Sequence, residues 1–208
     1  MQTYYPIIAI LAAYLVGSLS FAVIISRVTG LKDPRTYGSK NPGATNVLRS
    51  GHKGAAIATL LLDALKGWLP VFLVQRYGSE FGLGDRTIAL AGMAAFLGHL
   101  FPVFFRFQGG KGVATWFGVM FGIHWLLGVG VGLVWLGMAF VFRFSSLASL
   151  TCAVVAPVLY LLGDRLEWYL DRSILFAIFI MGMLLAWRHW GNINRLLEGK
   201  EPRIGEKK

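Results

Sequence analysis

Residues 113–142 run for 30 positions without an Asp, Glu, Lys or Arg. As one helix this run would be about 45 Å long and apolar on every face. That suits a bilayer, whose hydrocarbon core is about 30 Å thick. Further apolar runs lie at 5–26, 55–74, 87–105, 145–163 and 173–187; the second is interrupted only by Asp63 and Lys66, and the third contains His99. Apolar residues make up 56% of the chain and charged residues 14%, against about 25% charged in a soluble domain. Disorder, a coiled coil and an ordinary soluble globule are excluded. So is an outer-membrane barrel, whose strands would alternate in polarity. Cys152 is the single cysteine and sits inside an apolar run, so no disulfide framework or zinc cluster is expected. Met1-Gln2-Thr3 lacks a basic leader, and the first run is expected to be a retained span.

The 30-residue run is either one tilted span or two short helices turning near Gly122-Ile123-His124. Charge separates these options. Two short helices give seven segments, with fifteen Lys and Arg on one side, four on the other and Lys66 embedded; one long helix splits the charges ten to nine. Positive charge collects on the cytoplasmic side. The expected fold is therefore all-α, a polytopic integral membrane protein with seven transmembrane helices, cytoplasmic glycine-rich loops, an outer N-terminus and a cytoplasmic C-terminus. Residues 1–208 are read as one membrane-embedded domain. The net charge of +10 would suggest nucleic acid in a soluble protein. Here it fits contact with anionic lipid, so the bilayer is the expected partner and nucleic acid is not. Gly118-x-x-x-Gly122 and Gly128-x-Gly130-x-Gly132 have the spacing of close helix packing.

Four polar clusters could carry chemistry. In the loop 27–54, Ser39 or Asn41 can cap a short helix over 43–50, with Pro42 at its first position and Gly51 at its stop. Gly43 leaves room for an anion at the helix start, Ser39, Asn41, Thr45 and Asn46 are neutral donors, and Lys40 and Arg49 add charge. The same residues also describe a capped interfacial helix touching headgroups. Gly109-Gly110-Lys111-Gly112 is a second glycine-rich turn leading into an apolar helix. It is not a nucleotide loop of the G-x4-G-K-[ST] type, because Phe105 and Gly112 occupy the diagnostic positions. A tight turn with a snorkelling lysine is the alternative. Asp63 and Lys66, three apart, form either a structural ion pair or a source of positive potential for a buried phosphate pocket. Last, His189 and Asn192 project on one side if the final helix continues; a general base or an interfacial anchor would both fit. In the seven-helix topology both glycine-rich loops, Ser145-Ser146 and the His189 segment fall on the cytoplasmic side. Many cationic and amide donors with few carboxylates describe a site for phosphorylated ligands, with no metal and no cofactor.

No histidine is followed five residues later by aspartate, so the His-x4-Asp acyltransferase pair is absent, and so is the Asp-rich pattern of metal-dependent CDP-alcohol phosphotransferases. The order GSLS (17–20), DPRTYGSKNPGATNVLR (33–49), DALKG (63–67), GHLFPVFFRFQGGKGVAT (98–115), SSL (145–147) and RHWGNINR (188–195) resembles the acyl-phosphate-dependent glycerol-3-phosphate acyltransferases of the PlsY type, over nearly the whole chain. The departures are Lys40, where many members carry glycine, and Ser20, where many carry proline.

The resemblance implies a seven-helix bacterial inner-membrane enzyme. It would pass a fatty acyl group from acyl phosphate to the 1-hydroxyl of sn-glycerol 3-phosphate, giving lysophosphatidic acid and phosphate. Residues 38–46 with Arg49 match the first cytoplasmic motif. Gly109, Gly110, Lys111 and Gly112 match the second, associated with glycerol 3-phosphate, and His189 with Asn192 matches the third. On this reading Arg49 and Lys111 neutralise phosphates, and Ser39, Asn41, Thr45, Asn46 and Ser145 or Ser146 donate hydrogen bonds. His189 positions glycerol 3-phosphate or takes its proton, unless a donor phosphate oxygen does so. An acyl phosphate is already activated, so holding two anions together and stabilising the oxyanion suffices. The rival reading is a small phosphate or glycerol-3-phosphate transporter, favoured by the embedded charges but lacking an evident repeat.

Overall fold

The computed structural model describes residues 4–206. Across them the chain forms ten α-helices and no β-strand: α1 (Tyr5–Gly17), α2 (Phe21–Val28), α3 (Ala44–Leu48), α4 (Lys53–Tyr77), α5 (Asp85–Leu100), α6 (Val113–Ile123), α7 (Trp125–Phe142), α8 (Ser145–Leu162), α9 (Arg172–Arg188) and α10 (Trp190–Leu197). They build two compact units, one ending at Ile123 and one beginning at His124.

The 30-residue run does break where its length required. α6 stops at Ile123, and His124 caps α7, its Nδ1 accepting from the Leu126 N–H at 3.3 Å. One other expected span is bent, and the last turns sharply just past its end. The run 5–26 breaks at 18–20, where α1 and α2 meet at 45°, and α9 turns 61° into α10. Four helices are long and apolar enough to cross a bilayer alone, six if each bent pair is one span, and α6 is shorter. At 11 residues it rises about 16 Å, half the hydrocarbon core. The seven expected apolar segments are all helical, but seven full-length crossings is an approximation.

Lipid tails are as apolar as leucine, so association needs close packing instead of hydrophobic burial. The outer faces accordingly carry the large side chains, among them Ile7, Ile8 and Leu11 of α1 and Phe140 and Val141 of α7. Small residues line the contacts. In the first unit α4 and α6 interlock reciprocally: a Cβ on Gly67 would strike the Thr115 carbonyl, and one on Gly118 the Ala64 carbonyl. Gly17 of α1 and Gly98 of α5 meet Ala95 and Tyr14 in the same way. Gly118 and Gly122 thus pack as their spacing predicted, whereas a Cβ on Gly132 would meet nothing within 4 Å. In the second unit α8 packs against α7 and α9.

Gly118→Val should therefore destabilise the protein by about 1–3 kcal/mol through overpacking, while Gly132→Val should not. Thermal unfolding of both variants in detergent checks this; equal midpoints would contradict the α4–α6 contact.

Candidate functional site

The loop after α2 is held by side chains that the sequence alone did not rank. Asp33 and Arg35 form a bidentate pair, Nη2 to Oδ2 at 2.6 Å and Nε to Oδ1 at 3.0 Å. Arg35's hydrogen bonds hold the Asp33 carboxyl below its ordinary range. Asn46 is the clamp. Its Nδ2 donates to the carbonyls of Pro34 (2.7 Å) and Tyr37 (3.2 Å), and its Oδ1 accepts from the Ser39 N–H (3.1 Å). Both amide protons are committed to the backbone, so Asn46 shapes the loop. The helix expected over 43–50 is shorter: α3 is capped at Gly43, whose backbone is extended, and Pro42 lies before the cap. Gly51 does take the left-handed conformation expected of a stop (φ +89°). So does Lys40 (φ +55°), at a cost of about 1–2 kcal/mol for a side-chain-bearing residue. Ser39, Lys40, Thr45 and Arg49 are exposed; Asn41 and Gly43 are half-buried.

The second loop is pressed onto the end of α5. The Gly110 N–H donates to the His99 carbonyl at 3.2 Å. A Cβ on Gly109 would strike the carbonyls of His99 and Leu100, and one on Gly110 the His99 Nε2. Gly112 has φ +85° and lies against the Phe96 ring. These glycines are buried, with Lys111 half-buried between them. The two loops also meet: a Cβ on Gly110 would stand 3.1 Å from the Pro42 carbonyl, and Arg35 lies 5.9 Å over the Phe105 ring.

Beneath them sits the embedded pair. Lys66 Nζ lies 2.8 Å from Asp63 Oδ1, and the two side chains are 2% and 3% exposed. Lys66 also donates to the Leu19 carbonyl at 2.6 Å, at the break between α1 and α2. Its ammonium is thus engaged by protein partners in the buried interior. His99 Nδ1 lies 3.7 Å from the same Asp63 oxygen.

In the second unit His189 and Asn192 are buried where α9 turns into α10. His189 Nδ1 is 2.8 Å from the Leu185 carbonyl. A carbonyl only accepts, so Nδ1 carries the proton and Nε2 the lone pair in the neutral ring. Glu201 was missed in the sequence. Its Oε1 accepts from Ser146 Oγ (2.7 Å) and Asn192 Nδ2 (2.6 Å), and its Oε2 from Arg195 Nε (2.7 Å). Ser145 is half-buried at the start of α8. Residues 198–206 are docked on the α7–α8 turn, where Arg143 exchanges backbone and side-chain hydrogen bonds with Ile204. Burial alone would raise the Glu201 pKa, but the hydrogen bonds from Asn192, Ser146 and Arg195 outweigh it and hold the carboxyl below its ordinary value.

Helices long and apolar enough to cross a bilayer, with large apolar side chains exposed on their outer faces, and loops rich in cationic and backbone donors at their ends define an integral membrane protein. The comparisons with known proteins carry this further. Residues 7–199 match the family model for glycerol-3-phosphate acyltransferase. The chain is 60% identical over 207 residues to a glycerol-3-phosphate acyltransferase of Albidiferax ferrireducens, covering all of this chain and 92% of that one. It is 57% identical to one of Burkholderia pseudomallei, with 97% of each chain covered. Its fold matches a crystal structure of PlsY (YgiH), an integral membrane glycerol 3-phosphate acyltransferase, in the glycerol 3-phosphate form, with a TM-score of 0.87 and 38% identity over 96% of both chains. The lysophosphatidic acid form matches with a TM-score of 0.86. This chain belongs to the glycerol-3-phosphate acyltransferase family.

The Glu201 network has a defined pH sign. Its folded pKa lies below the ordinary 4.5, so its stabilisation is complete above that value and is lost as pH falls through the depressed pKa. Glu201→Ala should lower the unfolding midpoint at neutral pH and expose 198–206 to proteolysis. The gap from wild type should narrow toward about pH 3, where carboxylates protonate. A gap that persists there would contradict the network's dependence on charge.

Proposed function

We propose that the chain transfers a fatty acyl group from acyl phosphate to the 1-hydroxyl of sn-glycerol 3-phosphate, releasing lysophosphatidic acid and inorganic phosphate. The observation that carries this reading is the meeting of the two donor-rich loops at Gly110 and Pro42. It allows two phosphates to be held as neighbours by one unit. Relatives bearing the acyltransferase name and fold neighbours in glycerol 3-phosphate and lysophosphatidic acid forms support this choice of acceptor and product.

The chemistry asks little of the protein beyond placement. The acceptor hydroxyl attacks the carbonyl carbon of the mixed anhydride, the carbon–oxygen bond to phosphate breaks, and phosphate departs with the bonding pair. Arg49 and Lys111 neutralise the two phosphates. Ser39, Asn41 and Thr45 donate to them with the backbone around Gly43, Gly109, Gly110 and Gly112, and Asn46 holds the first loop in shape. Lys66 contributes to the potential beneath the loops without touching a ligand. His189, whose Nε2 holds the lone pair, is one candidate for the hydroxyl proton and a phosphate oxygen of the donor the other; Ser145, Ser146 and Asn192 are the further polar residues of the second unit. Residues 1–208 act as one acyltransferase domain. They lie in the bacterial inner membrane with the N-terminus outside and the loops in the cytoplasm, as the charge asymmetry of the sequence suggests. The transporter reading loses ground because the embedded charges that favoured it are engaged with each other, Lys66 Nζ lying 2.8 Å from Asp63 Oδ1.

Purified protein given palmitoyl phosphate should release phosphate only when glycerol 3-phosphate is added, in step with lysophosphatidic acid detected by mass. Lys111→Ala and Arg49→Ala should each lower kcat/KM about 10²–10³-fold, the scale of losing one electrostatic donor. Full activity in Lys111→Ala would sink the role of the second loop. Uptake of glycerol 3-phosphate into proteoliposomes without any lipid product would restore the transporter.

A further inference from the structure

We infer that His99 is a positioning residue for the phosphate loop, set by Asp63 behind it. This rests on the function proposed above and deepens it. The His99 ring stands between two features that have no other reason to be linked. On one side its Nδ1 faces the Asp63 carboxylate at 3.7 Å. On the other its Nε2 occupies the space that a side chain at residue 110 would need. Its backbone carbonyl takes the Gly110 N–H as well. His99 is 6% exposed, so its ring is enclosed between the carboxylate and the loop.

The cost of the arrangement shows that packing alone does not explain it. Burying a polar ring beside a carboxylate is unfavourable unless it is used, and an apolar residue at 99 would fill the same space without engaging Asp63. Asp63 is matched by Lys66 at 2.8 Å and does not need histidine for neutrality. What the carboxylate does for His99 is fix it. At 3.7 Å the carboxylate is beyond hydrogen-bond reach, and its negative charge favours the ring orientation that turns Nδ1–H toward it. The Nε2 edge is then presented to Gly110 in one geometry. Lys111 follows directly in the chain, so its height and the aim of the neighbouring N–H groups are set by that edge. Errors of about 1 Å in such supporting groups are enough to lose binding.

The test is steady-state kinetics of the full chain in liposomes, with palmitoyl phosphate and glycerol 3-phosphate varied separately, on wild type, His99→Asn, His99→Gln and Asp63→Asn. Asparagine keeps a donor toward Asp63 but does not reach Gly110; glutamine reaches further but is not held in a plane. Each histidine variant should raise KM for glycerol 3-phosphate about tenfold or more, with kcat and KM for palmitoyl phosphate within about threefold. Asp63→Asn also strands Lys66, so the coupling is read in the double variant: adding His99→Asn to Asp63→Asn should raise KM for glycerol 3-phosphate by less than His99→Asn does in wild type. A structural role alone would lower kcat in proportion to protein lost and leave both KM values in place. That outcome overturns the inference, as do unchanged kinetics, or failure of both histidine variants to keep a cooperative thermal transition. Wild type forming no lysophosphatidic acid would remove the functional reading itself, and this inference with it.

Discussion

A carboxylate and an ammonium held 2.8 Å apart, each almost wholly buried, are the point on which the first unit turns. In the apolar interior of a membrane protein neither group can stay charged alone. Removing one partner of a buried pair costs about 3–5 kcal/mol because it strands the other. The pair is shared among several elements. Lys66 satisfies the Leu19 carbonyl left without a partner where α1 breaks into α2. Non-helical backbone is tolerated at membrane depth only when protein groups re-satisfy it. Asp63 reaches toward His99 at the end of α5. One helix, α4, thus fixes a helix break on one side and the seat of a glycine loop on the other.

Small residues let that arrangement close. α4 and α6 approach until the Gly67 and Gly118 backbones touch their neighbours' carbonyls, so α6 starts directly under the loop that precedes it. With the helices set, the two loops need only local fasteners. Asn46 supplies them for the first, through three backbone contacts, and the missing side chains of Gly109, Gly110 and Gly112 allow the second to lie flat on His99, Leu100 and Phe96. In the second unit a carboxylate does the analogous work, gathering Ser146, Asn192 and Arg195 around Glu201.

Much of this was legible before any coordinates. The length of the uncharged run, set against bilayer thickness and charge asymmetry, placed the break near Gly122-Ile123-His124, where it falls. The glycine loops stood out because glycine next to lysine at a helix start suits an anion, although a tight turn with a snorkelling lysine reads the same way. What escaped reading depends on contacts that sequence distance hides. Nothing in GSLS at 17–20 announces a 45° bend, since the break is stabilised by a lysine 47 residues away. Asn46 looked like one more phosphate donor, and only the path of 34–39 around it reveals a clamp. Glu201 lies nine residues beyond Asn192 with no periodic relation to it, because the chain between them turns back after α10. Lys40 drew notice as a departure from the family pattern. Its left-handed backbone explains why glycine suits that position.

The central claim is that the protein passes the acyl group directly between two held anions, without an acyl-enzyme. Isotope exchange tests it most directly. Protein in liposomes, given palmitoyl phosphate and labelled inorganic phosphate but no glycerol 3-phosphate, should leave palmitoyl phosphate unlabelled. The same preparation should then form lysophosphatidic acid once glycerol 3-phosphate is added. Label entering palmitoyl phosphate before the acceptor is present would require an acyl group resting on the protein, and would contradict the account.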